Sequence, residues 1–382
     1  MKKIYLYVFA ALLFSGALFG WLVPASGKGG FQKELATLST VASLVETTYV
    51  QEVPSERIFR GAVNGLLKTL DPYSLYLDPK AYQEFKGDNE GHFAGTGMEV
   101  SVKGGVLHVI SPLDGSPAAE AGLRPGDVIT KIDGVVTKDM VLGDAVMRLR
   151  GEPSSVVMLT VLRDEEPKPL ELKVTRRTVE VNGVRETKVL EGGIAYIRIA
   201  EFQKHTAEDF AEAAKTLGLE NGKGLILDLR NNPGGLLDAA VKVAENFIPR
   251  GQAVVATRGR IQKKSRLFVS HNTSPMKPGP IAVLVNRGSA SGSEILAGAL
   301  QDYGLARLFG RKTYGKGCVQ TLTPLPDGSA VRITTSLYYT PKGRQIHEIG
   351  ISPDEEILDD PKTGEDRALA AAQNWIRREQ TT

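Results

Sequence analysis

The sequence predicts an α/β core with a mixed sheet flanked by helices, with an inserted β-rich module and an N-terminal helical segment before it. Residues from about 31 to 85 carry apolar side chains at helical spacing. Residues from about 93 to 177 form short apolar runs separated by Gly, Pro and Asp turns. From about residue 179, strand-length apolar runs alternate with helix-length amphipathic runs, which is typical of a partly parallel sheet.

The N-terminal segment predicts two helices. The first has a 3.6-residue apolar period at Leu35, Leu38, Val41, Ala42 and Val45. The second begins at the sequence Pro54-Ser55-Glu56 and ends before Asp71-Pro72. So small a helical module buries little apolar surface alone, so we expect it to pack on another domain or on a second subunit.

The β-rich module predicts five strands and two helices. The strands are expected at residues 98–102, 106–110, 128–132, 156–162 and 170–174. The helices are expected between them, a short one at residues 117–121 and a longer one at residues 142–149.

The core predicts strands at residues 194–199, 225–229, 254–257 and 281–285, alternating with helices at residues 207–217, 237–247 and 293–303. Functional sites in such sheets gather at the carboxyl ends of the strands. The alternation at residues 319–322 and 331–337 predicts an antiparallel pair. Residues 366–378 predict an amphipathic helix without visible chemistry.

The composition indicates a soluble multidomain enzyme. The chain has 382 residues, of which 42% are apolar and 24% charged. A net charge of +3, with no long basic run, gives no support to nucleic-acid binding. The single cysteine, Cys318, excludes an intrachain disulfide and a cysteine-rich zinc site. The five histidines lack metal-site spacing, so we expect neither a metal nor another cofactor.

The first residues predict export from the cytoplasm. Lys2 and Lys3 precede an apolar stretch at residues 4–23, and Val23-Pro24-Ala25 offers small residues for signal-peptidase cleavage. The stretch is also about long enough to span a bilayer. Residues 1–26 are therefore either a cleaved signal peptide or a retained anchor. Both place the rest of the chain in the periplasm or on the outer face of a bacterial inner membrane.

Ser291 and Lys316 are the candidate catalytic pair. Ser291 lies between the predicted strand 281–285 and the predicted helix 293–303, at a helix N-terminus that favours negative charge. Lys316 follows in a segment with glycines on both sides, which allow close backbone approach. A serine hydroxyl needs a base, and a lysine amine serves as one where its surroundings keep it neutral. The pair therefore indicates acyl transfer without histidine.

Each motif also has a purely structural interpretation. Ser291 and Glu294 have the spacing of a capping box, and a lysine between glycines is commonly a solvated turn residue. Residues 228–235, Asp-Leu-Arg-Asn-Asn-Pro-Gly-Gly, end a predicted strand and open a helix. Their glycine amides could stabilise an oxyanion, but the same residues suit a simple Pro-Gly turn.

Several of these motifs resemble the C-terminal processing peptidases, tail-specific serine proteases with a PDZ domain and a Ser-Lys dyad. The resemblance rests on residues 286–300 around Ser291 and residues 313–320 around Lys316, at matching spacing. It extends from Asp71-Pro72-Tyr73-Ser74 to Gly350-Ile351-Ser352-Pro353-Asp354. It implies an N-terminal helical region at residues 27–90, a PDZ domain at 91–177, a protease core at 178–358 and a helical tail at 359–382.

The resemblance implies a serine endopeptidase that cleaves proteins near their C-termini. Ser291 is the implied nucleophile and Lys316 the implied base. Gln320 would orient the lysine, since residues four apart on one strand point to the same face. The resemblance places the oxyanion donors at Gly292 and at Gly234 or Gly235. The helical region implies a homo-oligomer, such as a dimer, and the sequence leaves open whether an adaptor protein takes part.

Residues 116–127 closely resemble bacterial PDZ domains, and the glycine-rich turn before the first strand resembles their carboxylate-binding loop. Successive N–H groups in such a turn can bind one anion, and the next strand can pair with an extended peptide. Protein or peptide substrates with free C-termini are therefore the expected partners. The loop residues are Phe93, Ala94, Gly95, Thr96, Gly97 and Met98. Arg150, which follows the second helix, is either a regulatory residue that couples bound C-termini to the core or a solvated helix-end cation.

The sequence departs from the family at two positions. Gly292 stands where alanine is usual, and Cys318 stands where threonine is frequent. Asp302 matches an acidic position of some members but also suits an exposed helix carboxylate. The main rival function is a PDZ-based peptide-binding scaffold with an inactive protease domain. A Ser-His hydrolase is a second rival, but no histidine lies in a recognisable motif.

Overall fold

The structure, a computed structural model, describes residues 31–88, 92–164, 166–180, 183–261, 263, 265–358 and 365–381. The chain divides into two compact units, Met1–Gly65 and Leu66–Thr382. The predicted signal peptide or anchor at residues 1–26 lies outside the described residues. Within the described part of the chain, no helix is both long enough and apolar enough to cross a membrane.

The described part of the first unit is helical, as predicted. Helix α1 covers Phe31–Thr48, and helix α2, Ser55–Lys68, begins after Pro54 and continues past the boundary between the units. No residue of α1 is buried. Its exposed apolar side chains follow helical spacing; they are Phe31, Leu35, Leu38, Val41 and Leu44.

The PDZ-like module forms a six-stranded antiparallel sheet among the described residues, in the order β3-β4-β5-β7-β8, with β6 paired to β5. All five predicted strands are confirmed. The bounds are β3 Met98–Lys103, β4 Val106–Pro112, β5 Val128–Ile132, β6 Val135–Val136, β7 Val156–Leu162 and β8 Leu170–Thr175. Helices α4, Pro117–Glu120, and α5, Leu142–Leu149, also match the prediction. The module is flanked by helix α3, Pro79–Asp88, and by strands β2, His92–Gly95, and β9, Arg177–Glu180, which pair with each other.

The core contains a six-stranded mixed sheet in the order β10-β11-β12-β15-β16-β19 within the described part. Only β10 runs antiparallel to its neighbour in this sheet. The bounds are β10 Val184–Leu190, β11 Ile194–Ile199, β12 Leu225–Asp228, β15 Ile281–Val285, β16 Ala306–Gly310 and β19 Glu355–Glu356. The sequence did not predict β10, because most of its side chains on this edge strand are exposed and it has no apolar face.

Helices cover both faces of this sheet. Alternate strand residues such as Ile197 and Leu227 pack with helices α6 Thr206–Thr216, α7 Leu237–Glu245 and α8 Gly292–Asp302. The other face, with Tyr196 and Phe309, packs with helix α9, Arg367–Glu379. The C-terminal helix is therefore a layer of the core rather than an appended tail.

Ion pairs also hold α9 in place. Its N-cap, Asp366, accepts two hydrogen bonds of 2.8 Å from Arg230, which also donates to the fully buried Asp228. Burial alone would raise the pKa of Asp228, but the hydrogen bonds and charge of Arg230 and the charge of Arg198 lower it. This buried network fixes the start of the 228–235 segment, which leads into the site.

A second, antiparallel sheet holds the strands that follow Lys316. Its order is β1-β18-β13-β14, with β17 paired to β18. The bounds are β1 Leu75–Leu77, β13 Ala253–Arg258, β14 Arg266–Val269, β17 Cys318–Pro324 and β18 Ala330–Tyr339. The predicted strand 254–257 exists, but it belongs to this sheet and not to the parallel one. The predicted antiparallel pair β17–β18 is confirmed.

Candidate active site

Ser291 is the N-cap of α8 and ends the turn that follows β15. The turn is fixed by buried polar contacts: Ser289 Oγ donates to the Leu229 carbonyl at 2.8 Å, and Asn286 Oδ1 accepts the Gly288 N–H at 2.9 Å. The backbone of Ser291 has φ 52° and ψ −109°, which is unfavourable for a residue with a side chain. Surrounding contacts must therefore maintain this conformation, and such strain is frequent at functional sites.

Glu294 connects the nucleophile segment to the lysine segment. Its fully buried carboxylate accepts the N–H groups of both Ser291 and Lys316 at 2.9 Å, through the same oxygen, Oε2. The other oxygen accepts from Gly315 N–H at 2.7 Å and from Thr313 Oγ1 at 2.5 Å. Burial raises the pKa of Glu294 to about 7, while these hydrogen bonds oppose the rise. The capping box is thus real, and the same carboxylate also fixes the spacing between the two candidate catalytic residues.

Lys316 precedes β17 in a loop that packs closely on Ile346 and His347 of the same chain. A Cβ at Gly317 would collide with the backbone of His347, which explains the glycine there. Lys316 Nζ is ion-paired with Glu99 Oε1, and it lies 5.8 Å from the centre of the Tyr73 ring. The Lys316 side chain is 13% exposed and that of Glu99 is 29% exposed. The Lys316 amine is therefore engaged by Glu99 in this conformation.

Glu99 belongs to a polar face of the PDZ module that contacts the core. Ser101, two residues after Glu99 on β3, hydrogen-bonds Tyr314 of the core at 2.5 Å. On the next strand, Ser111 Oγ donates to the Asn231 carbonyl at 2.9 Å. The sequence analysis did not identify Glu99. Its position at the start of the strand after the glycine-rich loop was the available signal.

The fold leaves two of the three candidate oxyanion donors available. The amides of Gly235 and Gly292 have no hydrogen-bond acceptor among the described residues, so they remain available. The Gly234 N–H, in contrast, donates to Asn232 Oδ1 at 2.8 Å, so Gly234 is the wrong member of the predicted pair. Asn232 is buried, and its side chain also donates to the Ile199 carbonyl at 2.9 Å. This side chain, which the sequence analysis did not single out, holds the glycine turn in place.

Both glycines in this turn are required because other parts of the chain lie too close for a Cβ atom at either position. Gly234 has φ 110°, and a Cβ there would lie 2.7 Å from the Cβ of Ser291. Gly235 has φ 125°, and a Cβ there would collide with the Phe202 carbonyl. Substitution at either position would displace the turn beside the nucleophile.

A cavity of about 580 Å³ brings the predicted residues together. Its lining includes Ser291, Lys316, Gln320, Gly235 and Arg150, together with part of the glycine-rich loop at residues 95–98. The candidate catalytic pair and the candidate C-terminus-binding loop therefore open into one cleft.

The geometric argument for Gln320 is wrong. Lys316 lies before β17, so the two residues do not share a strand face, and the strand has an irregular register between Val319 and Gln320. The Gln320 amide instead donates to Thr334 Oγ1 at 3.3 Å and to Cys318 Sγ at 3.1 Å. Its oxygen accepts from Arg332 at 3.1 Å. Because Gln320 lines the cleft, an orienting role in another conformation stays a prediction.

The predicted carboxylate-binding loop is shorter than expected, because Phe93 to Gly95 belong to β2 and Met98 begins β3, which leaves Thr96 and Gly97 as the turn. Its carbonyls are used internally, since Thr96 O accepts from Ala118 N–H at 2.8 Å and Gly97 O accepts from Leu113 N–H at 2.9 Å. The amides of Thr96 and Gly97 have no acceptor in the described part of the chain. Arg150 caps α5 and forms a β-bridge with Gly95, so it is half-buried beside this loop rather than a solvated cation.

The structure also defines the environments of Cys318 and Asp302. Burial raises the pKa of the Cys318 thiol to about 11, so it is protonated at neutral pH. Asp302 is not an exposed helix carboxylate: it is buried, pairs with Arg344 and accepts the Lys342 N–H at 2.8 Å. Within the described residues, no cluster of His, Cys, Asp or Glu could hold a metal ion.

The fold and this cleft define a serine protease whose core carries a PDZ domain. Comparison with known proteins supports both parts. Residues 193–357 match Peptidase family S41, residues 108–163 match a PDZ domain, and residues 24–81 match the Activating protease CtpB N-terminal domain.

Similar proteins support the same family assignment. A Carboxy-terminal-processing protease of Bartonella bacilliformis is 39% identical over 348 residues, covering 89% of this chain and 80% of the relative. The Carboxy-terminal processing protease CtpB of Bacillus subtilis is 35% identical over 87% of this chain and 70% of its own length. A solved photosystem II D1 C-terminal processing protease is 31% identical with a TM-score of 0.72, over 85% of this chain and 93% of that one. The chain belongs to peptidase family S41, with the C-terminal processing proteases.

Proposed function

We propose that the chain is an endopeptidase that cleaves proteins near their C-termini with a Ser291–Lys316 dyad, and that its PDZ domain binds the substrate C-terminus. One observation carries the dyad: a single carboxylate oxygen of Glu294 accepts both the Ser291 and the Lys316 N–H groups. This holds the nucleophile and the base at a fixed spacing beside one cleft.

In the proposed reaction, Ser291 Oγ attacks the scissile carbonyl while a neutral Lys316 amine accepts the hydroxyl proton. Lys316 then returns that proton to the leaving amine. The amides of Gly235 and Gly292 donate to the oxyanion, which forms beside the N-terminus of α8. Lys316 must separate from Glu99 before it can lose its proton, so the conformation described is a resting one.

Binding of a peptide to the PDZ domain would separate Lys316 from Glu99. β3 is an edge strand of its sheet, so an extended peptide can add alongside it, with its terminal carboxylate at the amides of Thr96 and Gly97. Glu99 lies on the same strand, and movement of β3 on peptide binding would release Lys316. Arg150 lies between the loop and the cleft, so it would couple peptide binding to the release of Lys316. Arg150→Gln should therefore reduce the stimulation of cleavage by peptide more than it reduces the affinity for peptide.

A test of the dyad compares the purified chain with its Ser291→Ala variant on an unfolded protein substrate. We expect Ser291→Ala to abolish cleavage while it retains the fold, because loss of a helix cap costs only about 0.5–2 kcal/mol. Ser274→Ala, at an exposed serine, is the matched control. Cleavage by a folded Ser291→Ala variant would refute the dyad.

The rival proposal is a PDZ peptide-binding scaffold. It is favoured by the ion pair with Glu99, which engages the candidate base Lys316 in this conformation. A chain that binds C-terminal peptides but cleaves no protein in their presence would support the scaffold.

Oligomer and location are further parts of the proposal. The apolar row on α1 suits a second copy of the chain, and light scattering of wild type against a Leu35→Ser, Leu38→Ser variant tests for a dimer. The lysines and apolar stretch before residue 24 support export across the inner membrane. Fractionation of cells that express the chain with a C-terminal tag tests this location.

A further inference from the structure

Glu201 is a buried carboxyl group in the cleft that the proposed reaction does not use. It follows β11 and precedes Phe202, whose N–H donates to the Gly234 carbonyl and whose carbonyl accepts from Leu236 N–H, both at 2.7 Å. Glu201 therefore lies beside the glycine turn, next to the place where the scissile bond would bind. Its side chain lines the same cavity as Ser291.

One oxygen of this carboxyl has no partner. Glu201 Oε2 is buried without a hydrogen bond to any residue that the structure describes. Burial raises the pKa of Glu201 to about 7 and the charge of Glu99 adds to the rise, while a hydrogen bond from the Gln203 side chain and the charge of Lys316 oppose it. Glu294 has a similarly raised pKa, but four donors satisfy it. A buried unpaired oxygen is unfavourable, so an orphan at the wall of a binding cleft indicates a group that arrives with a ligand.

The charges around Glu201 show what kind of group that is. Lys316 is the nearby cation that influences it, and Lys316 is already paired with Glu99. The remaining cations of this cavity, Arg150 and Arg332, lie on the PDZ side and on β18. An incoming cation would therefore complete the pairing at Glu201.

The cavity wall also suits a long basic side chain. Leu236, Leu237 and Tyr338 line it together with Glu201. Lysine and arginine place their aliphatic stems against apolar surface while their charged ends reach a polar partner. The cavity holds a second carboxylate, Glu99, but that one is paired with Lys316, so an apolar wall with the unpaired Oε2 of Glu201 fits that shape.

We propose that Glu201 is a specificity residue, whose carboxylate binds the charged group of a lysine or arginine side chain of the substrate within two residues of the scissile bond. This inference rests on the proposed protease function. It predicts that the enzyme prefers a basic residue to an apolar residue of similar length at one position.

The test uses the full chain and a set of fluorogenic peptides in which lysine or methionine occupies each of the two positions on either side of the cleaved bond. At pH 8, we expect lysine to raise kcat/KM about 10- to 100-fold over methionine at one position, as a charged hydrogen bond allows. Glu201→Gln should bring this ratio close to one. Glu212→Gln, at an exposed glutamate on α6, is the matched control and should retain the ratio.

The pH dependence of the ratio adds a second measurement. Because Lys316 is the base for both peptides, its contribution to the pH dependence of kcat/KM cancels in the lysine-to-methionine ratio. The ratio should fall between pH 8 and pH 6 as Glu201 becomes protonated. A ratio near one at all four positions would overturn the inference. So would a Glu201→Gln variant that slows every peptide alike with the preference intact, since that result indicates a structural role or a partner for Lys316.

Binding separates this inference from the protease proposal. In the Ser291→Ala background, the lysine peptide should bind more tightly than the methionine peptide, and Glu201→Gln should remove the difference. Tighter lysine binding without cleavage by wild type would refute the protease proposal and keep the Glu201 site. Cleavage that depends on Ser291 but does not prefer lysine would refute the Glu201 site and keep the protease proposal.

Discussion

The side-chain ammonium of Lys316 is paired with the carboxylate of Glu99, which lies on the edge strand of the PDZ sheet. This pair links the domain that would bind a substrate C-terminus to the residue that would act as base. Under the proposed mechanism, Lys316 must leave this pair before it can act as a base, and movement of β3 would release it.

Glu99→Gln should activate the protease in the absence of a C-terminal ligand. Glutamine keeps the size but removes the charge that stabilises the ammonium group. Loss of about 1 kcal/mol from this half-buried pair corresponds to about a fivefold higher basal rate on an unfolded substrate. Glu171→Gln, at an exposed residue on β8, is the control. A rate equal to or below wild type would show that Glu99 does not restrain Lys316.

Lys316→Arg should be inactive although it preserves charge. Arginine does not lose its proton at neutral pH, so it cannot accept the proton of Ser291. General-base catalysis typically contributes about 10²- to 10⁴-fold, and we expect a loss of that size in kcat/KM. Lys312→Arg, four residues earlier, should retain activity. Substantial turnover by Lys316→Arg would assign Lys316 a structural role.

Peptides with a free apolar C-terminus should bind the PDZ domain about tenfold more tightly than their amidated forms. The amides of Thr96 and Gly97 donate hydrogen bonds more strongly to a carboxylate than to a neutral amide. Fluorescence anisotropy with labelled peptides measures the difference. Equal affinities and equal stimulation of cleavage would rule out carboxylate recognition.

Gly292→Ala should destabilise this chain, although alanine is usual at this position in the family. An added Cβ would lie 2.9 Å from the Phe202 ring and 3.3 Å from Ala240, and Phe202 is fully buried. Overpacking of this kind costs about 1–3 kcal/mol, which urea unfolding would detect. A second change, Phe202→Leu, should restore part of the loss in the double variant. No change in stability would mean that the ring moves freely.

Glu201→Gln should stabilise the folded chain at alkaline pH. The pKa of Glu201 is raised from 4.5 to about 7, so the folded state binds the proton more tightly than the unfolded state. The contribution of Glu201 to stability therefore falls as pH rises from about 4.5 to about 7, by no more than about 3 kcal/mol. The Glu201→Gln variant has no ionisable group at this position, so its stability does not fall in this way. Its excess free energy of unfolding over wild type should be larger at pH 8 than at pH 5, whereas Glu212→Gln should show no such difference.

Local sequence signals were sufficient for the elements around the nucleophile. An apolar run, a turn rich in Gly and Ser, and an amphipathic run placed Ser291 between β15 and α8, because each signal acts within a few residues. The same holds for α5, β17 and the helix at the C-terminus. Gln320 does not share a strand face with Lys316, because β17 begins at Cys318, two residues after Lys316.

The sequence by itself determined the helices and most strands, the position of Ser291 between a strand and a helix, and the glycines beside Lys316, because these depend on side-chain size and spacing along the chain. Only the tertiary structure showed that Glu99 holds Lys316, that Asn232 uses the Gly234 amide, that α9 is a core layer and that Glu201 Oε2 lacks a partner. The Glu99–Lys316 pair joins residues 217 positions apart, whereas Asn232 and Gly234 are only 2 apart and meet through the folded conformation of their turn. Charge state and hydrogen-bond satisfaction are set by neighbours in space, which no local pattern records.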